Sequence, residues 1–291
     1  MRKVFAVLAI AVAGVFCLHS PVASADAEVQ PPGTALIPAG PAQGWIVADM
    51  DTGQILAGRE IDVRHPPAST IKTLLALTAL DEVGLDTTVV ASAANTQVEC
   101  NCVGVKPGRS YTVRQLLDAV LLVSGNDAAN TLADALGGFD TAVAKMNAKA
   151  AALGAPDTHA ATPSGLDGPG GTGWTTPRDL AIIFRAAMAN PVFAEVTSKP
   201  SAMFPGDNGD RPIVNEDELL HRYPGALGGK TGYTNAARKT FVAAAQRDGR
   251  RLVISMMYGL VKDGGPTYWD QAAALLDWGF AQDRQASIGT L

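Results

Sequence analysis

The chain has 291 residues, 47% of them hydrophobic and 18% charged, with 28 acidic side chains against 23 basic ones. An acidic balance of that kind argues against nucleic acid or an anionic lipid surface as partner. The length suffices for one large hydrophobic core or two abutting ones.

Met1 to Ala25 reads as an export signal, with Arg2 and Lys3 as the charged start, Val4 to Leu18 as the apolar stretch and Ala23-Ser24-Ala25 as the cleavage site ahead of Asp26. The apolar run is shorter than the roughly 20 residues that a bilayer span needs. Phe16, before Cys17, stands where a lipid attachment site carries a small residue. Without residues 1–25 the remaining 266 residues carry 21 basic and 28 acidic side chains, a formal charge of −7. No later stretch is apolar enough to span a membrane.

Residues 26–43 are rich in proline and glycine and are expected to lie extended on the surface. Trp45 to Ala48 and Gln54 to Ala57, joined through Asp51-Thr52-Gly53, predict a β-hairpin that Pro66-Pro67 brings to an end. Ser69 to Leu80 is helical in pattern and nearly all apolar, so that helix is expected to be buried on most sides. Cys100 and Cys102 are the only cysteines left after cleavage. Export places them in an oxidising compartment, where a tight disulfide is feasible. A metal site is the alternative, but two thiols lack the further ligands that a closed zinc site needs.

A helix-rich middle follows. Thr112 is a good N-cap for Val113 to Val123, whose Val113, Leu116, Leu117, Val120 and Leu121 share a face. Asp127 to Leu136 and Asp140 to Leu153 predict two more helices, closed by Gly137-Gly138 and Gly154. After a glycine-rich loop at 163–173, Thr176-Pro177 starts another. Leu227 to Tyr233, Thr240 to Gln246 and Arg251 to Tyr258 predict strands, the last two joined by a turn at Arg247-Asp248-Gly249-Arg250, and a closing helix runs from about Pro266 to Phe280. There is no internal repeat.

Three strings carry chemistry: Ser69-Thr70-Ile71-Lys72, Ser124-Gly125-Asn126 and Lys230-Thr231-Gly232. Each is weak alone, since a serine at a helix start is more often a plain N-cap. Together, in this order, they resemble the parts of a serine acyl-transfer site with lysine as base. Lys72, three residues on from Ser69, projects from the same helix face and can reach its hydroxyl. Such a lysine must spend time neutral, and both burial and a second cation, for which Lys230 is a candidate, would lower its pKa. Ser124 lies in a turn between helices, where its hydroxyl can pass a proton while the Asn126 amide bonds a substrate backbone and Asp127 caps the next helix. Lys230 and Thr231 offer a cation and a hydroxyl for a carboxylate, and Gly232 lets a substrate approach the strand closely. The Tyr233 N–H could join that of Ser69 as an oxyanion hole. Gly225 to Thr231, GALGGKT, nearly spells a phosphate-binding loop, but Pro224 stands where its first glycine is required and a strand follows. No G-x-S-x-G string exists, and His65 is expected to be structural. His65, His159 and His221 show no metal-ligand spacing, so neither a metal nor a cofactor is expected.

PPASTIK, VKPGRSYTVRQLLDAVLLVSGNDAAN and GGKTGYTNAARKTFV resemble the three motif regions of low-molecular-weight penicillin-binding proteins, the serine-type D-alanyl-D-alanine carboxypeptidases. The resemblance implies a β-lactamase/transpeptidase-like fold of the α/β (α+β) class, an antiparallel sheet flanked by helices plus an all-helical subdomain. It would span residues 44–291, with the helical part at roughly 81–220. Carried over, Ser69 would be the acyl-ester nucleophile, Lys72 its base and Ser124 a proton carrier. Asn126 would hold the substrate, and Lys230 and Thr231 its carboxylate. Peptidoglycan stem peptides would be substrates and β-lactams covalent inhibitors. Many relatives carry an extra β-rich domain and a C-terminal amphipathic anchor, which this chain is expected to lack, and Cys100-Asn101-Cys102 is not part of the family pattern. Two other readings are a serine β-lactamase and an acylated receptor that does not hydrolyse. The common β-lactamase type carries an E-x-x-L-N loop after the second motif, of which Glu216 to Leu220 is a loose echo placed shortly before Lys230.

Overall fold

The computed structural model describes residues 28–168, 171–260 and 264–291. The export signal lies outside the described residues. Five long strands, β1 (Ala42–Asp49), β2 (Gln54–Arg59), β3 (Ala226–Thr234), β4 (Arg238–Arg247) and β5 (Arg250–Gly259), form the body of a seven-stranded antiparallel sheet in the order β2-β1-β5-β4-β3. Both chain ends add short strands to β2, Glu28–Val29 and Gly289–Thr290. β3 is therefore an edge strand.

Alternate residues of each strand face opposite sides, and both sides of this sheet are covered. Trp45, Val47, Phe241, Ala243 and Ile254 pack under α6 (Tyr268–Ala281, the last of six longer helices) through Leu275 and Leu276. Ile46, Ala48, Val242, Ala244 and Val253 join the larger core on the other side. That core is built from α1 (Lys72–Glu82), α2 (Val113–Leu122), α3 (Asn126–Ala135), α4 (Phe139–Ala152) and α5 (Pro177–Ala189). α1 runs through its middle, with every residue from Lys72 to Ala79 buried, as its nearly continuous apolar pattern requires. Among the described residues no single helix is long and apolar enough to cross a membrane.

Residues 28–41 do not hang free. The Ala35 carbonyl accepts a bond from the Trp278 indole at 2.9 Å. Thr112 caps α2 in a reciprocal box with Gln115, and the β4–β5 turn places Asp248 and Gly249 at positive φ. One hairpin was not expected: Ser201–Gly206 pairs with Gly209–Val214, burying Phe204 and Ile213. Asp127 is also not the cap of α3. Gly125 holds that position with no side-chain bond. The Asp127 carboxylate turns back instead, accepting from the N–H groups of Val103, Gly104 and Val105 at 2.9, 2.8 and 2.8 Å.

Candidate active site

Ser69 sits in a single 3-10 turn, Ala68–Ile71, that leads into α1. Thr70 Oγ1 and Thr240 Oγ1 both donate to the Pro67 carbonyl, at 2.7 and 2.9 Å, which ties this turn to β4. β3 passes close by. A Cβ on Gly232 would overlap the Thr240 hydroxyl and lie 2.9 Å from the Ser69 nitrogen, so only glycine lets the strand edge and the serine turn approach this closely.

Lys72 is fully buried, and its Nζ has four oxygens in reach: Ser69 Oγ at 2.7 Å, Asn126 Oδ1 at 2.6 Å, the Ser124 carbonyl at 2.9 Å and Ser124 Oγ at 3.4 Å. Lys230 Nζ, also buried, donates to Ser124 Oγ at 2.9 Å and to the Thr231 carbonyl at 2.8 Å. Ser124 thus stands between the two lysines. Its φ of +57° is in the left-handed region, a strained setting for a residue with a side chain.

The electrostatics suit a lysine base. Burial pushes Lys72 well below its ordinary value, and the Lys230 charge pushes it further, against the pull of Asp127 and Glu216. Burial also brings Lys230 down to about 8, opposed by Glu216 and Asp217.

Two open cavities meet at Ser69. One, of about 440 Å³, is lined by Ser124, Glu216, Thr231, Gly232, Tyr233 and Lys239 among others. The other, of about 600 Å³, is lined by Glu99, Asn126, Asp167, Tyr233 and Asn235 among others. The two buried lysines reach this place through Ser69 Oγ and Ser124 Oγ. Ser69, Lys72, Ser124, Asn126, Lys230, Thr231, Gly232 and Tyr233, the residues expected from sequence, are therefore all brought to one place.

Two features were missed, Glu216 and Lys239. Glu216, expected to be only a distant echo of a β-lactamase loop, lines the Ser69 cavity, with its carboxylate taking the Asn101 amide at 3.3 Å. Lys239 lines the same cavity, with Nζ over the Tyr233 ring at 4.9 Å, whereas the Lys230 ammonium is taken up by protein oxygens. The open alternative at Cys100 and Cys102 resolves as a disulfide. His65 is absorbed in a backbone bridge to Thr175 and a stack on Tyr258, and GALGGKT ends in β3 with no helix behind it.

A buried lysine on a serine hydroxyl, between an antiparallel sheet and a helical body, defines a serine enzyme of the penicillin-binding class. The chain belongs to the D-alanyl-D-alanine carboxypeptidase family, whose model matches residues 31–259. It is 75% identical over 267 residues to D-alanyl-D-alanine carboxypeptidase DacB2 of Mycobacterium tuberculosis, covering 92% of each chain. It is 29% identical to D-alanyl-D-alanine carboxypeptidase DacF of Bacillus subtilis, where 83% of this chain covers 62% of that longer protein. Among solved structures, a D-alanyl-D-alanine carboxypeptidase from Mycobacterium tuberculosis H37Rv aligns with a TM-score of 0.89 at 75% identity, over 90% of this chain and all of that one. The Streptomyces K15 DD-transpeptidase aligns at 0.78 and 28% identity, over 85% of this chain and all of that one.

Proposed function

We propose that the Ser69 site removes the terminal D-alanine from D-alanyl-D-alanine stem peptides of peptidoglycan through an acyl-serine ester, and that β-lactams acylate the same atom. Neutral Lys72 takes the Ser69 proton as Oγ attacks the penultimate carbonyl. The N–H groups of Ser69 and Tyr233 receive the oxyanion. Ser124 Oγ, bonded to both lysines, relays a proton to the leaving amine. Asn126 holds the acyl portion, and Thr231 meets the terminal carboxylate where Lys230 below and Lys239 at the wall supply positive potential. Free D-alanine leaves, and water releases the shortened peptide. The observation that carries this reading is the 2.7 Å contact from Lys72 Nζ to Ser69 Oγ, made by an amine that burial and the Lys230 charge push well below its ordinary value.

Such a substrate lies outside the cytoplasm, so we also propose export to the cell wall or a periplasm-like space, on the strength of residues 1–25. No cofactor enters the scheme. Ser69→Ala is expected to abolish both D-alanine release and covalent labelling by penicillin while the thermal midpoint stays near wild type. Mass spectrometry that found the acyl group on Ser124 would overturn the assignment.

A further inference from the structure

The strap from Glu99 to Val105 wraps the start of α3 and touches the chemistry at several points. The Asn126 backbone N–H donates to the Asn101 carbonyl at 2.7 Å, and the Asn126 side-chain amide donates to the Glu99 carbonyl at 2.6 Å. With its amide nitrogen held there, Asn126 presents Oδ1 to Lys72 Nζ at 2.6 Å. The Asn101 amide in turn holds the Val123 carbonyl at 2.9 Å, directly before the strained Ser124. The far end of the strap is pinned separately by Asp127, through the N–H groups of residues 103–105. Between the two anchorages lies the Cys100–Cys102 disulfide, with Asn101 at its centre.

We infer that the Cys100–Cys102 bond is a positioning element for acylation: it fixes the Glu99 and Asn101 carbonyls on Asn126, and through Asn126 it sets the orientation of the Lys72 amine. Beyond these hydrogen bonds, no side-chain burial holds this end of the strap in shape, because Glu99, Cys100 and Asn101 are all exposed. Closing a ring across one residue removes most of the backbone freedom of that residue. A carbonyl that wanders releases the Asn126 amide, and the Lys72 amine then loses the acceptor that helps aim it at Ser69 Oγ. Misplacement of a catalytic group on that scale costs roughly 100-fold in rate. Exposure also leaves the bond open to a dithiol, which would supply two electrons and two protons, yield two cysteine thiols and be oxidised to its own cyclic disulfide.

The inference rests on Lys72 being the base, and one experiment separates the two ideas. The folded wild-type enzyme is treated with a dithiol, a mass gain of about 2 Da confirms reduction, and the acylation rate by a fluorescent penicillin is followed against pH. The Cys100→Ser/Cys102→Ser variant is measured in parallel. We expect both to label Ser69, but 10- to 100-fold more slowly than the oxidised enzyme. Their acid limb should move to lower pH, since the protonated Lys72 loses an acceptor, and reoxidation should restore the wild-type enzyme. A purely structural role would lower the thermal midpoint and leave the acid limb in place. Equal rates and equal limbs in both redox states would overturn the inference even if the variant failed to fold, because the reduced wild type decides. Failure of the oxidised enzyme to label Ser69 at all would instead strike at the catalytic reading.

Discussion

The two lysines of the site are both buried, and the proposed mechanism gives them unlike duties. In the proposed mechanism Lys72, on Ser69 Oγ, must lose its proton to act, while Lys230, which donates to Ser124 Oγ, serves as a cation. Acylation should therefore rise with pH as Lys72 deprotonates and fall again above about 8, as Lys230 loses its charge. The limbs belong to the interacting pair rather than to either residue alone. Replacing Lys230 with alanine removes the like charge that holds Lys72 down, so the acid limb should shift upward and the alkaline limb should vanish. The measurement is the second-order rate of penicillin labelling from about pH 5 to 10, a range that brackets both lysines. An acid limb that does not move would show that Lys230 leaves the Lys72 proton unaffected. Lys72→Arg should be nearly as inactive as Ser69→Ala, because a guanidinium stays charged throughout this range.

The seam between β3 and the Ser69 turn makes a groove possible at the sheet edge. Gly232→Ala should push the strand away from that turn, since the added methyl meets Thr240 and the Ser69 nitrogen. A loss of 100-fold or more in acylation is expected, in line with an ångström-scale displacement, with cooperative unfolding retained. Wild-type rates in this variant would place the seam outside the chemistry. Elements such as α2 were legible in the sequence because cap and apolar face coincide, Thr112 with Val113, Leu116, Leu117 and Val120. The hairpin of residues 201–214 was not, because Pro205 and Pro212 speak against strands and only Phe204 and Ile213 are well buried. Local rules assigned Asp127 to a helix cap, but its partners come from a strap more than twenty residues earlier. Glu216 and Asn101 are 115 residues apart and meet only in the folded chain. The three motif strings were legible as a set because acyl transfer demands those residue types. The cation Lys239 lies in the third motif region, GGKTGYTNAARKTFV, but outside the Lys230-Thr231-Gly232 string, and nothing in its spacing pointed to the cavity.

At the scale of the whole molecule, the site is a junction: Ser69 and Lys72 come from the helical core, Ser124 and Asn126 from the α2–α3 turn, and Lys230 to Tyr233 from the sheet edge. None of these groups works alone, so the competing fates of an acyl-serine decide what the molecule is for. A peptidase must release its peptidyl ester quickly, whereas the ring retained by a bound β-lactam obstructs the approach of water. Glu216 brings a carboxylate to the cavity, engaged there by the Asn101 amide, and it makes a comparison of the two esters the decisive one. The most direct measurement follows D-alanine release from a D-alanyl-D-alanine peptide and, under identical conditions, the decay of the penicilloyl-Ser69 adduct by intact mass. Repeated peptide turnover with an adduct that lasts minutes or longer is expected, whereas rapid loss of the adduct without D-alanine release would contradict the carboxypeptidase assignment and mark the site as a β-lactamase.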